Sequence, residues 1–175
     1  MNAVDSGTKF NLETRLVRTR SLEEFDRFFR GLKNSLGEQV REVFRRERHK
    51  PPSERKLVKF VSDKLGQYKR SFNRHFYRIA RLVHGVPIAC RQYGLKHNNN
   101  PIERHNQDIK QRYKTMRHFK SFGSAEAFLS LRRFVYNYVR THSSLGGTPA
   151  EAADIKLELS RDRLLGLIQL CAGLP

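Results

Sequence analysis

The chain has 175 residues, with 35 Lys or Arg against 17 Asp or Glu and a net charge of +18. That length suits one domain with a real core, and 38% hydrophobic residues, including twelve Phe and six Tyr, exclude a disordered chain. Charge of this size and sign points to a polyanionic partner, above all nucleic acid.

Residues 2–4 read as the tail of a strand, and Asp5-Ser6-Gly7 as a turn with Gly7 free to take positive φ. Phe10 to Thr19 alternates, with Phe10, Leu12 and Leu16 on one face, which predicts a second strand and hence a hairpin. Ser21-Leu22-Glu23-Glu24 is a capping box. It opens a helix with Leu22, Phe25, Phe28, Phe29 and Leu32 on one stripe. Gly31 and Gly37 predict a break, after which Val40, Val43 and Phe44 continue the stripe.

Residues 41–56 carry seven Lys or Arg and three Glu, and Pro51-Pro52 ends any helix there. The segment reads equally as a solvated connection or as a DNA-facing loop. Leu57 to Ser62 reads as a short buried strand ending at Asp63, and Leu65, Tyr68, Phe72 and Phe76 then recur at helical spacing. Asp63 is thus expected at the carboxyl end of a strand, just before a helix, where α/β sheets bind ligands. A further strand is expected at Ile79 to Val83, then a loop from Gly85 to Asn100.

Asn100-Pro101 opens the next helix, with Ile102, Ile109, Tyr113 and Met116 as its buried stripe. Another helix begins at Ser124 and turns Phe128, Leu131, Val135 and Tyr138 inward. Thr148-Pro149-Ala150-Glu151 is a second Pro-bearing capping box. A last helix, Arg161 to Ala172, carries Leu164, Leu165, Leu167, Ile168 and Leu170. No run approaches the ~18 apolar residues of a membrane span, and the N-terminus lacks a signal-peptide pattern. Cys90 and Cys171 have no metal-ligand spacing and are expected to be buried or idle thiols in a reducing compartment. The expected location is the cytoplasm, associated with the nucleoid.

Two carboxylates stand out. Phosphoryl transfer on DNA commonly uses two Mg²⁺ ions roughly 4 Å apart, and Mg²⁺ takes one or two carboxylates plus water and phosphate. Asp63 at a strand end and Glu103 on a later helix can converge as metal ligands. Lys110 and Lys114 follow Glu103 by seven and eleven residues, so both lie within about 20° of it around the helix, positioned for phosphate contacts. Gln107 lies beside them, and Arg104 and Arg112 flank the face. Both acids also have a structural reading: Glu103 as the third residue of a capping pattern, and Asp63 as a helix cap or turn residue.

The pieces NNNPIERHNQDIKQR, RHFKSFGSAEAF and HSSLGGTPAEAA resemble the end of the catalytic domain of DDE-class insertion-sequence transposases. These share the ribonuclease-H-like fold with retroviral integrases. FVSDKLGQYKRSF resembles the strand and helix around that family's second Asp, and AVDSGTKFNLETRLVRTRS the hairpin before its first long helix. The resemblance implies an α/β fold: a ribonuclease-H-like mixed sheet with flanking helices, here lacking its first strand. It implies a partial catalytic domain over residues 1–155, with 156–175 a C-terminal helix packed on or extending from it. It makes Asp63 the second and Glu103 the third acid of a catalytic triad that holds Mg²⁺.

In the family the first Asp lies on a strand expected to be absent here, as is the helix-turn-helix region that such transposases usually carry. Asp5 ends the second strand of the pattern; its use as the first acid is the alternative. The THSSLGGTPAEAA segment departs from the family's more frequent spacing and is expected to be structural. The expected function is DNA strand cleavage and transfer, impaired by loss of the first Asp. Lys64, Arg104, Lys110 and Lys114 would contact DNA, and the chain could assemble with itself or with full-length transposase. The alternatives are a catalytically silent basic DNA-binding remnant and an RNA-binding protein.

Overall fold

Ser21 accepts a hydrogen bond from the Glu24 amide and starts a helix that no later residue breaks before Glu47. The computed structural model describes residues 1–63, 65–85, 100–115, 119–157, 159 and 161–173. Its elements in chain order are β1 (Asn2–Val4), β2 (Asn11–Thr14), α1 (Leu22–Glu47), β3 (Lys59–Ser62), α2 (Gly66–Phe76) and β4 (Arg81–His84). There follow α3 (Asn100–Thr115), α4 (Phe122–Phe134), a π-helical turn (Val135–Val139), α5 (Pro149–Ala152) and α6 (Arg163–Ala172). The chain divides into two compact units, Met1–Leu16 with Arg104–Pro175, and Val17–Glu103.

In the Val17–Glu103 unit, α1 packs on α2, and β3 pairs with β4 in parallel from Lys59↔Arg81 to Ser62↔His84. Phe25, Phe28, Phe29, Leu32 and Val40 of α1 are buried, as are Phe72 and Phe76 of α2. Phe29 is the hub, with ring centroids 6.5, 6.3, 6.1 and 6.4 Å from Phe60, Tyr68, Phe72 and Phe76. Each well-oriented aromatic pair adds about 0.5–1.5 kcal/mol beyond its buried area. This explains why the break expected at Gly31 and Gly37 does not occur. A helical Gly costs about 1 kcal/mol against Ala, less than the burial of the apolar residues on both sides. Asp26 on α1 accepts from His75 at 3.1 Å and Arg74 at 3.5 Å, tying α2 to it.

In the other unit, β1 and β2 form the expected antiparallel hairpin, but β2 is only four residues long, where ten were expected. The positive φ in its turn falls on Lys9, at 61°, rather than on Gly7. The outer edge of β2 is covered by side chains. Asn137 Oδ1 accepts from the Asn11 amide at 2.8 Å, and Asn137 Nδ2 donates to the Asn11 carbonyl at 3.0 Å. Arg133 donates to the carbonyls of Asn11, at 3.3 Å, and Leu12. One helical amide thus imitates a neighbouring strand.

The fold is mixed α/β, but the described residues form two separate two-stranded sheets rather than one mixed sheet. β3 and β4 are also shorter than, or shifted from, the predicted strands. Leu131 of α4 and Tyr113 of α3, expected inside, are exposed, as are Leu164, Leu165, Ile168 and Leu170 of α6. Only Gly166 and Leu167 of α6 are buried, against the π-helical turn. Cys171 is exposed. Met116, Cys90 and most of the loop predicted between Gly85 and Asn100 lie outside the described residues. Among the described residues no helix is long and apolar enough to cross a membrane.

Candidate nucleic-acid and metal site

Asp63 follows the last residue of β3, two residues before the N-cap of α2. Its side chain is exposed, and Oδ1 accepts from the Leu65 amide at 3.3 Å. Its carbonyl accepts from Ser62 Oγ at 2.9 Å and contacts His84 Nδ1, at the end of β4, at 3.2 Å. The strand–Asp–helix order is therefore as expected, and the turn role and the carboxyl-edge position coexist. Lys64 lies outside the described residues.

The helix α3 has two unlike faces. Glu103, Gln107, Lys110 and Lys114 are exposed along one face, with Arg104 and Arg112 exposed beside it. His105 lies about 200° around the helix from Glu103 and is only 5% exposed. Its Nε2 accepts from Asn11 Nδ2 at 2.9 Å, and burial pushes its pKa down to about 4, so the ring is neutral. Tyr136 packs edge-on between His105 and His142, at 4.5 and 4.7 Å. Asn106 Oδ1 accepts from Asn2 Nδ2 at 2.7 Å.

Asp108 receives Arg140 at 2.7 Å and also Arg132. Burial alone would raise its carboxyl pKa, but these two guanidinium groups outweigh it and hold it below the usual carboxylate range. The sequence reading passed over His105 and Asp108. Their spacing with Ile102 and Ile109 fits an inward stripe, but both are polar and gave no apolar signal.

Asp5 is occupied. Its Oδ1 accepts from the Gly7 amide at 3.0 Å, the Thr8 amide at 2.7 Å and Thr8 Oγ1 at 2.8 Å, closing the hairpin turn. Among the described residues no group of three or more His, Cys, Asp or Glu comes together to hold a metal ion. Asp63 and Glu103 are both exposed carboxylates, the oxygen donors that Mg²⁺ prefers when substrate phosphate completes its shell.

The HSSLGGTPAEAA segment carries the expected capping box. Thr148 and Glu151 cap α5 reciprocally: Glu151 accepts from the Thr148 amide at 2.7 Å, and Thr148 accepts from the Glu151 amide at 3.2 Å. Gly146 takes φ 68°, and a Cβ on Gly147 would meet the Glu151 carboxylate at 2.7 Å.

The described residues thus form a mixed α/β chain with an acid after a parallel strand and a second acid on a helix that also exposes Arg104, Lys110, Arg112 and Lys114. Residues 84–149 match the family model described as the integrase core domain, which supports an integrase-like, ribonuclease-H-like domain of the DDE-transposase type. No curated protein and no solved structure matches the chain.

Proposed function

We propose that the chain is a DNA-transposition domain whose Asp63 and Glu103 are metal-binding carboxylates and whose Arg104, Lys110 and Lys114 contact DNA phosphates, with Lys64 as a further contact. The observation that carries this reading is the integrase-core match over 84–149, a segment that presents Glu103, Lys110 and Lys114 exposed on one helical face. Asp63 and Glu103 would hold Mg²⁺, and the chemistry supplied there would be activation of the attacking oxygen and stabilisation of the leaving oxygen. The chain's own part is to hold the two carboxylates and to fix the phosphate backbone beside them. DNA is the partner, and assembly with itself or with a full-length transposase follows from the same reading.

A second reading, a DNA-binding chain with little cleavage of its own, is favoured by Asp5, whose Oδ1 is already taken by three turn donors. The experiment is incubation of purified protein with duplex DNA and Mg²⁺, for the parent, Glu103→Gln and Asp5→Asn. Little cleavage by all three, with salt-sensitive binding indifferent to Glu103→Gln, supports the second reading. Mg²⁺-dependent cleavage by the parent that Glu103→Gln removes overturns it and supports the first. Loss on Asp5→Asn as well would bring Asp5 into the metal site.

A further inference from the structure

The positive charge of the Val17–Glu103 unit is not spread evenly. Over Leu22–Glu38 of α1, four acids face three bases, and Arg27 and Arg30 pair with Glu23 and Asp26. From residue 39 to Lys59 there are eight Lys or Arg against three Glu. One helix thus runs from a neutralised end to a strongly cationic end and loop.

That loop is built rather than slack. Arg55 Nε donates to the Lys50 carbonyl and Arg55 Nη2 to the Arg48 carbonyl, each at 2.8 Å. Glu47 takes Lys50 Nζ at 2.8 Å on one oxygen and the Lys56 amide at 2.9 Å on the other. Arg81 reaches the Pro52 carbonyl at 2.5 Å. The Lys56 bond brings that residue beside Glu47, between Arg46 and Arg48 in sequence. The side chains that fasten the loop are therefore distinct from those it presents. Arg46, Arg48 and Lys56 are all exposed, and neither Arg46 nor Arg48 has a carboxylate partner among the described residues.

A solvated connection needs neither this fastening nor this excess of one sign. Like charges held together repel one another, and a polyanion relieves that repulsion. We infer that the C-terminal end of α1 and its loop, through Arg46, Arg48 and Lys56, form a second surface for the phosphate backbone of duplex DNA. It is separate in sequence from the segment of Glu103, Lys110 and Lys114. Its contacts are to phosphates, so it adds affinity and orientation without reading sequence. The inference rests on DNA being the partner, as proposed above.

The test is binding of the full chain to random-sequence duplex DNA in EDTA, across about 0.05–0.2 M NaCl. Three variants are compared with the parent: Arg46→Gln/Arg48→Gln/Lys56→Gln; Arg27→Gln/Arg30→Gln/Lys33→Gln, which removes equal charge from the other end of α1; and Glu103→Gln. Each lost phosphate contact removes about 0.9 from the salt slope. The first variant is expected to lower the slope by about 3 and affinity at physiological salt about 100-fold. The second should stay near the parent.

In the unmodified protein, bound duplex should protect Lys56 from acetylation and leave Lys33 reactive, a readout that needs no variant to fold. Equal losses in the two triple variants, an unchanged slope in the first, unprotected Lys56, or tighter binding of single-stranded RNA at matched salt would each overturn the surface. Metal-dependent cleavage lost in Glu103→Gln, with an unchanged slope in the first triple variant, would sink this surface alone and leave the reading of Asp63 and Glu103 standing.

Discussion

Asn137→Ala tests whether the fold depends on one amide imitating a strand. Asn137 and Asn11 are 2% and 1% exposed, so water cannot replace what is lost. The Asn11 amide loses its 2.8 Å bond to Asn137 Oδ1, and an unsatisfied buried donor costs about 1–3 kcal/mol. The Asn11 carbonyl loses the 3.0 Å bond from Nδ2 but keeps Arg133 Nε at 3.3 Å, so its loss is nearer an ordinary ~0.5–1.5 kcal/mol. Together the change should destabilise by about 2–4 kcal/mol, visible as a lower urea midpoint at constant m. The corresponding fall in Tm is about 2–4 °C per kcal/mol for a chain of this size. Because Arg133 is the reserve donor, Arg133→Ala with Asn137→Ala should cost more than the two single changes added. An unfolding free energy within about 0.5 kcal/mol of the parent's, or simple additivity of the pair, would refute the account.

Asp108→Asn should destabilise by about 2–3 kcal/mol in urea unfolding, because it leaves the largely covered Arg132 without its counter-charge; removal of both partners as Asp108→Asn/Arg132→Met should recover part of the loss. Glu151, held down to about 2 chiefly by Arg163 and then by Thr148, binds fewer protons folded than unfolded. Its contribution is therefore present above about pH 4.5 and lost as pH falls towards 2. The Tm gap between the parent and Glu151→Gln should close over that window, and Gly147→Ala, which crowds the same carboxylate, should give a similarly narrowed pH profile. Lys110→Gln/Lys114→Gln should lower the salt slope of DNA binding by about 2, while Glu103→Gln should leave that slope unchanged or raise it slightly.

What could be read from the sequence was local. Ser21, Thr148 and the Asp63 junction were legible because each depends on neighbours within a few residues. The Thr148 capping box and the Asp63 turn appear as expected, and Ser21 caps α1 by accepting from the Glu24 amide. The length of β2 was not legible. Alternation continues to Thr19, but the strand ends at Thr14, and its outer edge is satisfied by Asn137 and Arg133, over a hundred residues away. The inward role of His105 was hidden for the same reason: its partner Asn11 lies 94 residues earlier. The reading of α6 as an inward apolar helix failed because a four-leucine pattern states only what a helix could bury, while Leu164, Leu165 and Leu170 are left exposed among the described residues.

The two faces of α3 bear on how the candidate site could be positioned. An apolar stripe holds a helix against its neighbours by area, which tolerates small rotation and sliding. A stripe built from His105, Asn106 and Asp108 holds it by directional bonds to Asn11, Asn2, Arg132 and Arg140. Hydrogen bonds weaken steeply off line, so these contacts specify the rotation of the helix as well as its depth. The exposed face is fixed by the same rotation, because residues on one helix turn together. An inner polar stripe of this kind therefore sets the direction in which Lys110 and Lys114 project. This gives a physical reason for neutral, buried His105 to occupy a position where Leu would bury more apolar area.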